Sequence, residues 1–251
     1  MVVDDPVAAD GDARRGGRAG ARGERRPTSR RPASGRRGAL DRERVVRTAL
    51  AVVDAEGLDA LTMRRLGAEL GCDPMAVYRH TPNRDAVLDG IAELVVEQLA
   101  TPAGSGDWQE DLRASAHAFR ALALAHPHVA PLVITRPLST PIGLRPLGTL
   151  RPLERTLALL EDAGFAPEDA LHVYRAVTSF VAGHVLTELQ ELVVDPEETD
   201  DLLRLGLYRL PPGEFPRTRA LAGALARYDG GAELDQGLDV LLSGLRAQLL
   251  G

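Results

Sequence analysis

An all-helical chain is predicted, on three observations. Aromatic residues make up 4 % of the 251 residues and β-branched runs are few, whereas Ala, Leu and Arg, all good helix formers, are abundant. Apolar residues recur at helical spacing in one segment after another. Most of these segments open on a capping side chain or a proline and close on a glycine. The pattern divides the chain into a tail over residues 1–38, a short three-helix unit within 39–100 and a larger helical domain over 101–251.

The first helix is expected from about Arg42 to Glu56. Asp41 can accept the unpaired N–H groups of its first turn, Val45, Val46, Ala49, Val52 and Val53 share a face, and Gly57 supplies the stop. Thr62 caps the next helix, whose inner face is Met63, Leu66 and Leu70, and Gly71 ends it. Asp73 followed by Pro74 starts another: a capping carboxylate, then a proline where no N–H is needed. Between Gly71 and Pro74 there is room only for a tight turn. Asn83 caps the next helix, with Val87, Leu88, Ile91, Leu94, Val95 and Leu99 inward.

Two short helices joined by so tight a turn have the spacing of a helix-turn-helix, whose second helix lies in the major groove of DNA. That recognition helix would run from about Pro74 to His80. Tyr78, Arg79 and His80 carry donors for phosphates or base edges, and Met75 and Ala76 can pack on thymine methyl groups. Arg64 and Arg84 flank it, where helix starts would face the backbone. From Leu61 to Arg84 four arginines stand against two acids. The competing reading is a three-helix piece of a larger core with arginine on its solvated face; two caps, the tight turn and an apolar face on every helix weigh against it.

Further along, a helix is expected from about Trp108 to Ala125, with Trp108, Leu112, Phe119 and Leu122 inward. Residues 101–106, TPAGSG, read as a linker before it. Prolines at 127, 131, 137, 141, 146 and 152 then allow only short helices or irregular turns. A helix from about Pro152 to Ala163 stops at Gly164, and Pro167 opens a long one to about Val193. DPEETDD at 195–201 reads as a solvated acidic loop. Helices near Pro216–Tyr228 and Leu234–Leu250 close the chain, the last with a stripe of Leu234, Leu238, Leu241, Leu245 and Leu249 suited to helix–helix packing.

Several function classes are excluded by what the sequence lacks. No stretch reaches the ~18 consecutive apolar residues of a membrane helix, and no apolar leader core follows the first residue. The single cysteine, Cys72, permits no internal disulfide and fits a reducing cytoplasm. In the turn beside the recognition helix it reads as a small packed residue, with oxidation that unseats DNA as the alternative. No glycine-rich phosphate loop, Ser/His/Asp order or carboxylate pair points to an enzyme, and no cofactor is expected. His126 and His128 have no Cys or carboxylate at zinc spacing beside them, so no metal site is expected. His117, His172 and His184 also lie in the larger domain; His172 and His184, on the long helix, can face a pocket or a dimer partner. The tail carries ten Arg and five acids, while the other 213 residues carry 20 Arg and 31 acids. Such a tail cannot bury a core; it is either a nonspecific phosphate binder or a passive extension. The acidic remainder has to sit away from a duplex.

The chain resembles the tetracycline-repressor family of bacterial transcriptional regulators. The N-terminal resemblance spans Leu40 to Leu99 and rests on Leu61, Thr62, Arg64, Leu66, Gly71, Tyr78, His80, Arg84 and the Ala86-Val87-Leu88 opening of the fourth helix. It continues through Trp108-Gln109, Leu112-Arg113, Phe119-Arg120, Thr135-Arg136-Pro137, Gly164-Phe165, Ala170-Leu171, Gly183, Val185-Leu186, Gly237-Leu238 and Gly244-Leu245, which look like the ligand-binding domain of the tetracycline-responsive members. The resemblance implies an all-α homodimer in which the long helix and the last helix build a four-helix-bundle dimer interface. It implies two recognition helices about one DNA turn apart on a palindromic operator. By position it puts DNA contacts on Arg64, Pro74, Met75, Ala76, Tyr78, Arg79, His80 and Arg84. Position 79, aromatic in the family's drug repressors, is Arg here, and position 74, a Gln there, is Pro, so the operator should differ.

The effector site departs further. Leu132 stands where the family's magnesium-binding His falls, Ala100 and Ser115 where a His and an Asn grip the drug, and Thr156 where a Gln does. Phe119, Thr135 and Arg136 remain. The expectation is a mostly apolar pocket between Trp108 and Tyr174, lined by Ser115, Phe119, Leu132, Thr135, Arg136, Thr156 and His184, that takes a small hydrophobic or aromatic effector and not magnesium–tetracycline. The function that follows is a cytoplasmic, ligand-responsive repressor. An activator or a ligand-independent repressor of the same fold is the alternative, and a helical binding module or enzyme that never meets DNA is a further rival.

Overall fold

The computed structural model describes residues 40–99, 104–136, 140–193, 206–225 and 227–249, with side chains to 190 in the long helix. The basic tail, Ala100, the start of the 101–106 linker, Pro137 and the 195–201 acidic loop lie outside the described residues. Every regular element among those described is helical: α1 (Arg42–Glu56), α2 (Met63–Leu70), α3 (Pro74–Tyr78), α4 (Arg84–Val96), α5 (Trp108–Ala125), α6 (Ala130–Thr135), α7 (Leu147–Asp162), α8 (Pro167–Val193), α9 (Pro216–Ala220), α10 (Ala222–Leu225) and α11 (Gly230–Leu249).

The capping chemistry accounts for the first four. Asp41 accepts from the Arg44 N–H, Thr62 from Arg65, Asp73 from Met75 and Asn83 from Ala86. Gly71 closes α2 in the left-handed conformation (φ 65°) that a turn this tight requires. One apolar cluster unites these helices: Val45, Val46, Ala49, Leu50 and Val53 of α1, Leu66 and Leu70 of α2, Val77 of α3, and Val87, Leu88, Ile91 and Val95 of α4. At ~1.5–3 kcal/mol for each fully buried Val, Leu or Ile, burial rather than helix propensity holds a five-residue helix such as α3 in place.

A second cluster builds the larger part. α8 contributes Ala170, Val173, Val177, Val181, Val185 and Leu189, spaced three or four apart, and α11 contributes Leu234, Leu238, Leu242 and Leu245. Trp108, Leu112 and Ala116 of α5 and Leu160 of α7 fill the space between. The two clusters are not independent. Val129, next to α6, and Val133, on it, belong to the first, and Phe119 of α5 packs against both.

Three expectations need correction. The helix expected at Pro152 begins at Leu147 and carries Pro152 inside it. Proline removes one N–H in the helix's second turn, and the tertiary contact of Gly148 with Glu93 of α4 seeds the helix ahead of it. The segment Pro216–Tyr228 is not one helix but α9 and α10, broken at Leu221. In α11 the buried stripe runs through Leu242, with Leu241 only partly covered. The stripe is therefore regular at four, four and three residues.

Candidate functional site

α3 projects from the head with its outer face bare. Val77 alone of its residues is fully buried, whereas Met75 is 66 % exposed and Tyr78 42 %, unusual for apolar side chains in so short a helix. Of the other residues expected at DNA, Pro74, Ala76 and His80 are half-buried, and Arg64 and Arg79 are exposed without an ion-pair partner among the described residues. Met75, Tyr78, Arg64 and Arg79 thus leave an apolar side chain, a phenol and two guanidinium groups open to solvent, the residue types that touch base edges and phosphates. Cys72 is half-buried against the head core.

Two other arginines of the head fix its shape. Arg65 donates to Glu56 (2.6 Å) at the end of α1 and to Glu69 (2.7 Å) on its own helix. The hydrogen bond to Glu56, then that to Glu69, raises the Arg65 pKa, and the Arg65 contact lowers that of Glu56. Arg84, expected at a phosphate, donates through Nε to the Leu61 carbonyl (2.9 Å) and through Nη2 to the Leu58 carbonyl (2.8 Å). It thereby ties the first turn of α4 to the loop that leads into α2. Sequence reasoning took Arg65 only as local charge and missed the clamp on Arg84, since the partners lie 23 and 26 residues away.

The residues expected to line an effector pocket are less uniformly gathered. Trp108 is buried in the body core, edge-on to Phe165 with ring centroids 5.0 Å apart. Phe119 and Leu132 are half-buried and both pack on the head cluster. Ser115, Thr135 and Thr156 bond back to the carbonyls of Asp111, Pro131 and Pro152 on their own helices. Tyr174 is half-buried. His184 donates from Nε2 to the Gly230 carbonyl (2.9 Å). Its ring lies between those of Phe180 and Tyr228. Arg136 turns from α6 onto α4, where Nε meets the Asp89 carboxylate and Nη2 donates to the Asp85 carbonyl (2.9 Å); the Asp89 hydrogen bond raises its pKa. A small cleft of about 110 Å³ lies beside this contact, with Leu144, Arg145 and Thr149 on its walls.

Contacts between head and body converge on α4 and α1. His126, at the end of α5, meets Asp54 of α1 at 2.9 Å. Arg42 of α1 reaches Glu93 of α4 at 3.5 Å, and Glu93 in turn lies against Gly148 of α7. Deeper in the body, Arg120 of α5 holds the buried carboxylate of Glu188 on α8, with Nε at 2.7 Å. No signal in the sequence marks these pairs, whose partners are 51 to 72 residues apart. Among the described residues no group of three or more His, Cys, Asp or Glu could hold a metal ion, and no helix is long and apolar enough to cross a membrane.

A helix-turn-helix head on a helical body, with residues of its second helix exposed, is the architecture of DNA-binding transcriptional regulators. The family model for the tetracyclin repressor-like C-terminal domain matches residues 101–249. The tetracycline repressor protein class C of Escherichia coli is 32 % identical over 218 residues, 84 % of this chain and 93 % of that protein. The transcriptional repressor DrrR1 of Streptomyces coeruleorubidus is 31 % identical over 166 residues, 65 % of this chain and 59 % of that one. The crystal structure of the Streptomyces coelicolor protein ActR in complex with actinorhodin superposes with a TM-score of 0.70 at 32 % identity, covering 84 % of this chain and 99 % of that one. The chain belongs to the tetracycline-repressor (TetR) family of DNA-binding transcriptional repressors. Membership makes it a ligand-responsive DNA-binding regulator and not an enzyme.

Proposed function

We propose that this protein is a cytoplasmic homodimeric repressor that holds a palindromic operator through α3 and leaves it when a small hydrophobic or aromatic molecule occupies the body. The observation that carries the reading is the placement of α6. Val129 and Val133 are part of the head's core, while Ile134 packs on the body's. A ligand that shifts α6 must therefore repack the head, and DNA and ligand must oppose each other by the same free energy.

Dimerisation is supported by surfaces left bare on the two helices with the longest apolar stripes. On α8, Thr178, Ser179, Gly183 and Thr187 are exposed; on α11, Val240 is 78 % exposed, with Ser243 and Gly244 beside it. Small residues let helices of two subunits approach closely, and a two-fold axis through them would build a four-helix bundle. The proposed DNA contacts are Arg64, Met75, Tyr78 and Arg79, with Pro74, Ala76 and His80 at the edges of the same surface. Domain limits of 39–100 and 101–251 follow this division of labour, with α6 as the element common to both cores.

The test is a reporter driven by the DNA upstream of the protein's own gene. Tyr78→Ala with Arg79→Ala is expected to release expression to the level of a deletion. Tetracycline with magnesium is expected to leave wild-type repression intact, because Leu132 offers no imidazole to the metal. Expression unaffected by the double substitution would remove α3 from the function.

A further inference from the structure

A cleft of about 340 Å³ lies between the end of α4 and α7, lined by Val96, Glu97, Gly148, Arg151, Pro152 and Arg155. We infer that it binds the anionic group of a small organic acid, an aromatic carboxylate being the class it fits, with Arg155 and Arg151 as the groups that hold it. The inference rests on the ligand-responsive reading and names the chemistry of a ligand.

The cleft follows from where the two helices meet. α7 touches α4 at Gly148, where even a Cβ would come within 2.8 Å of Glu93 Cγ. α4 ends at Val96, and beyond that contact the space opens. Its volume is in the range of small-molecule sites, ~300–1,000 Å³.

The two arginines stand four residues apart, on one helical face, so their like charges mildly repel. Arg155 has no hydrogen-bond or ion-pair partner among the described residues. Arg151 has one long pair, 3.7 Å to Glu97, with side chains 63 % and 47 % exposed. A pair so exposed contributes little, so an anion can displace it easily. Elsewhere in the body Arg113 is held by Asp239, Arg120 by Glu188 and Arg136 by Asp89. Arg155, with no such partner, is the guanidinium of the cleft left to meet an anion. A guanidinium presents paired donors that match a carboxylate, while Val96 and Pro152 supply the smaller, apolar part of a mainly polar lining. Occupancy would draw Arg151 from Glu97, the residue that closes α4, so binding would be felt on the helix that carries the Arg84 clamp.

The test is calorimetric titration of the full chain with 2-naphthoate and with the uncharged 2-naphthamide. It is run on wild type, Arg155→Gln, Arg151→Gln and Glu97→Gln. Naphthoate is expected to bind at least about tenfold more tightly than the amide, and Arg155→Gln to lose about tenfold and erase that difference. Arg151→Gln is expected to weaken naphthoate as well, whereas Glu97→Gln, which frees Arg151 of its competitor, is expected to strengthen it about two- to threefold. All are exposed positions, and unchanged thermal melting establishes that the variants fold. Equal binding of acid and amide, no binding of either, or wild-type affinity in Arg155→Gln overturns the inference. DNA binding measured on the same samples without acid separates the two readings. A chain that takes naphthoate through Arg155 but ignores every DNA keeps the cleft and loses the regulator.

Discussion

Arg84→Met is expected to cost stability before it costs DNA affinity. The side chain donates two hydrogen bonds, to the carbonyls of Leu61 and Leu58, and so joins α4 to the loop ahead of α2. The Leu58 bond is exposed, and water replaces most of it. The Leu61 bond is partly buried, on a residue only 2 % exposed, so its carbonyl is left without a partner. An unsatisfied group of this kind costs about 1–3 kcal/mol. For a folded body of this size that corresponds to a fall of roughly 5 °C in Tm. Lysine cannot rescue it, because one ammonium does not span two carbonyls as the guanidinium fork does. The comparison is Arg64→Met, a position with no partner among the described residues, where stability should change by less than about 0.5 kcal/mol. There the expected loss is one phosphate contact per head, two per dimer, seen as a shallower salt dependence of operator binding by about two units of slope. The assays are urea unfolding and operator titration at several salt concentrations, on both variants. If Arg84→Met unfolds like wild type and only its salt slope falls, the clamp is wrong and Arg84 is a phosphate contact.

Two further predictions rest on the body. Arg120→Met, which abandons the buried Glu188 carboxylate, should destabilise by about 3 kcal/mol, the lower end for a broken buried pair, since the guanidinium is partly exposed; joint replacement with Glu188→Gln should recover part of the loss in urea unfolding, and strict additivity would argue against a direct pair. Asp235 of α11 is held below the ordinary carboxylate range by the hydrogen bond from His117 of α5, with Arg113 adding to it. A carboxyl depressed on folding contributes stability above about pH 4 that is lost as the pH falls through its folded value. Unfolding midpoints should therefore drop more steeply below pH 4 in wild type than in Asp235→Asn; parallel curves would remove that pair from the acid response.

Much of the head is legible in the sequence because its boundaries are local chemistry. Asp41, Thr62, Asp73 and Asn83 cap within two or three residues, and Gly71 marks a backbone conformation that other residues avoid. Pro167 likewise opens α8 at the expected residue. What escaped depends on distant partners. Pro152 looks like a helix start until Gly148 is seen pressed on Glu93, a contact that fixes the helix a turn earlier. Arg64, Arg65, Arg84 and Arg136 are one residue type in sequence, yet one is bare, one joins two carboxylates, one clamps two carbonyls and one crosses to α4. The pocket lining was inferred from positional resemblance, which does not reveal that Trp108 and Phe165 fill the core with each other.

The central claim is sequence-specific recognition of DNA by α3. It is tested most directly by titrating the purified protein onto the proposed palindromic operator upstream of its own gene, beside a scrambled fragment of equal length, as the salt is raised. A discrete complex is predicted on the palindrome that survives physiological salt, exceeds the scrambled fragment about 10³-fold or more in affinity and is lost in Tyr78→Ala with Arg79→Ala. Equal affinity for both fragments, vanishing together as salt rises, would leave only phosphate attraction and would contradict the account.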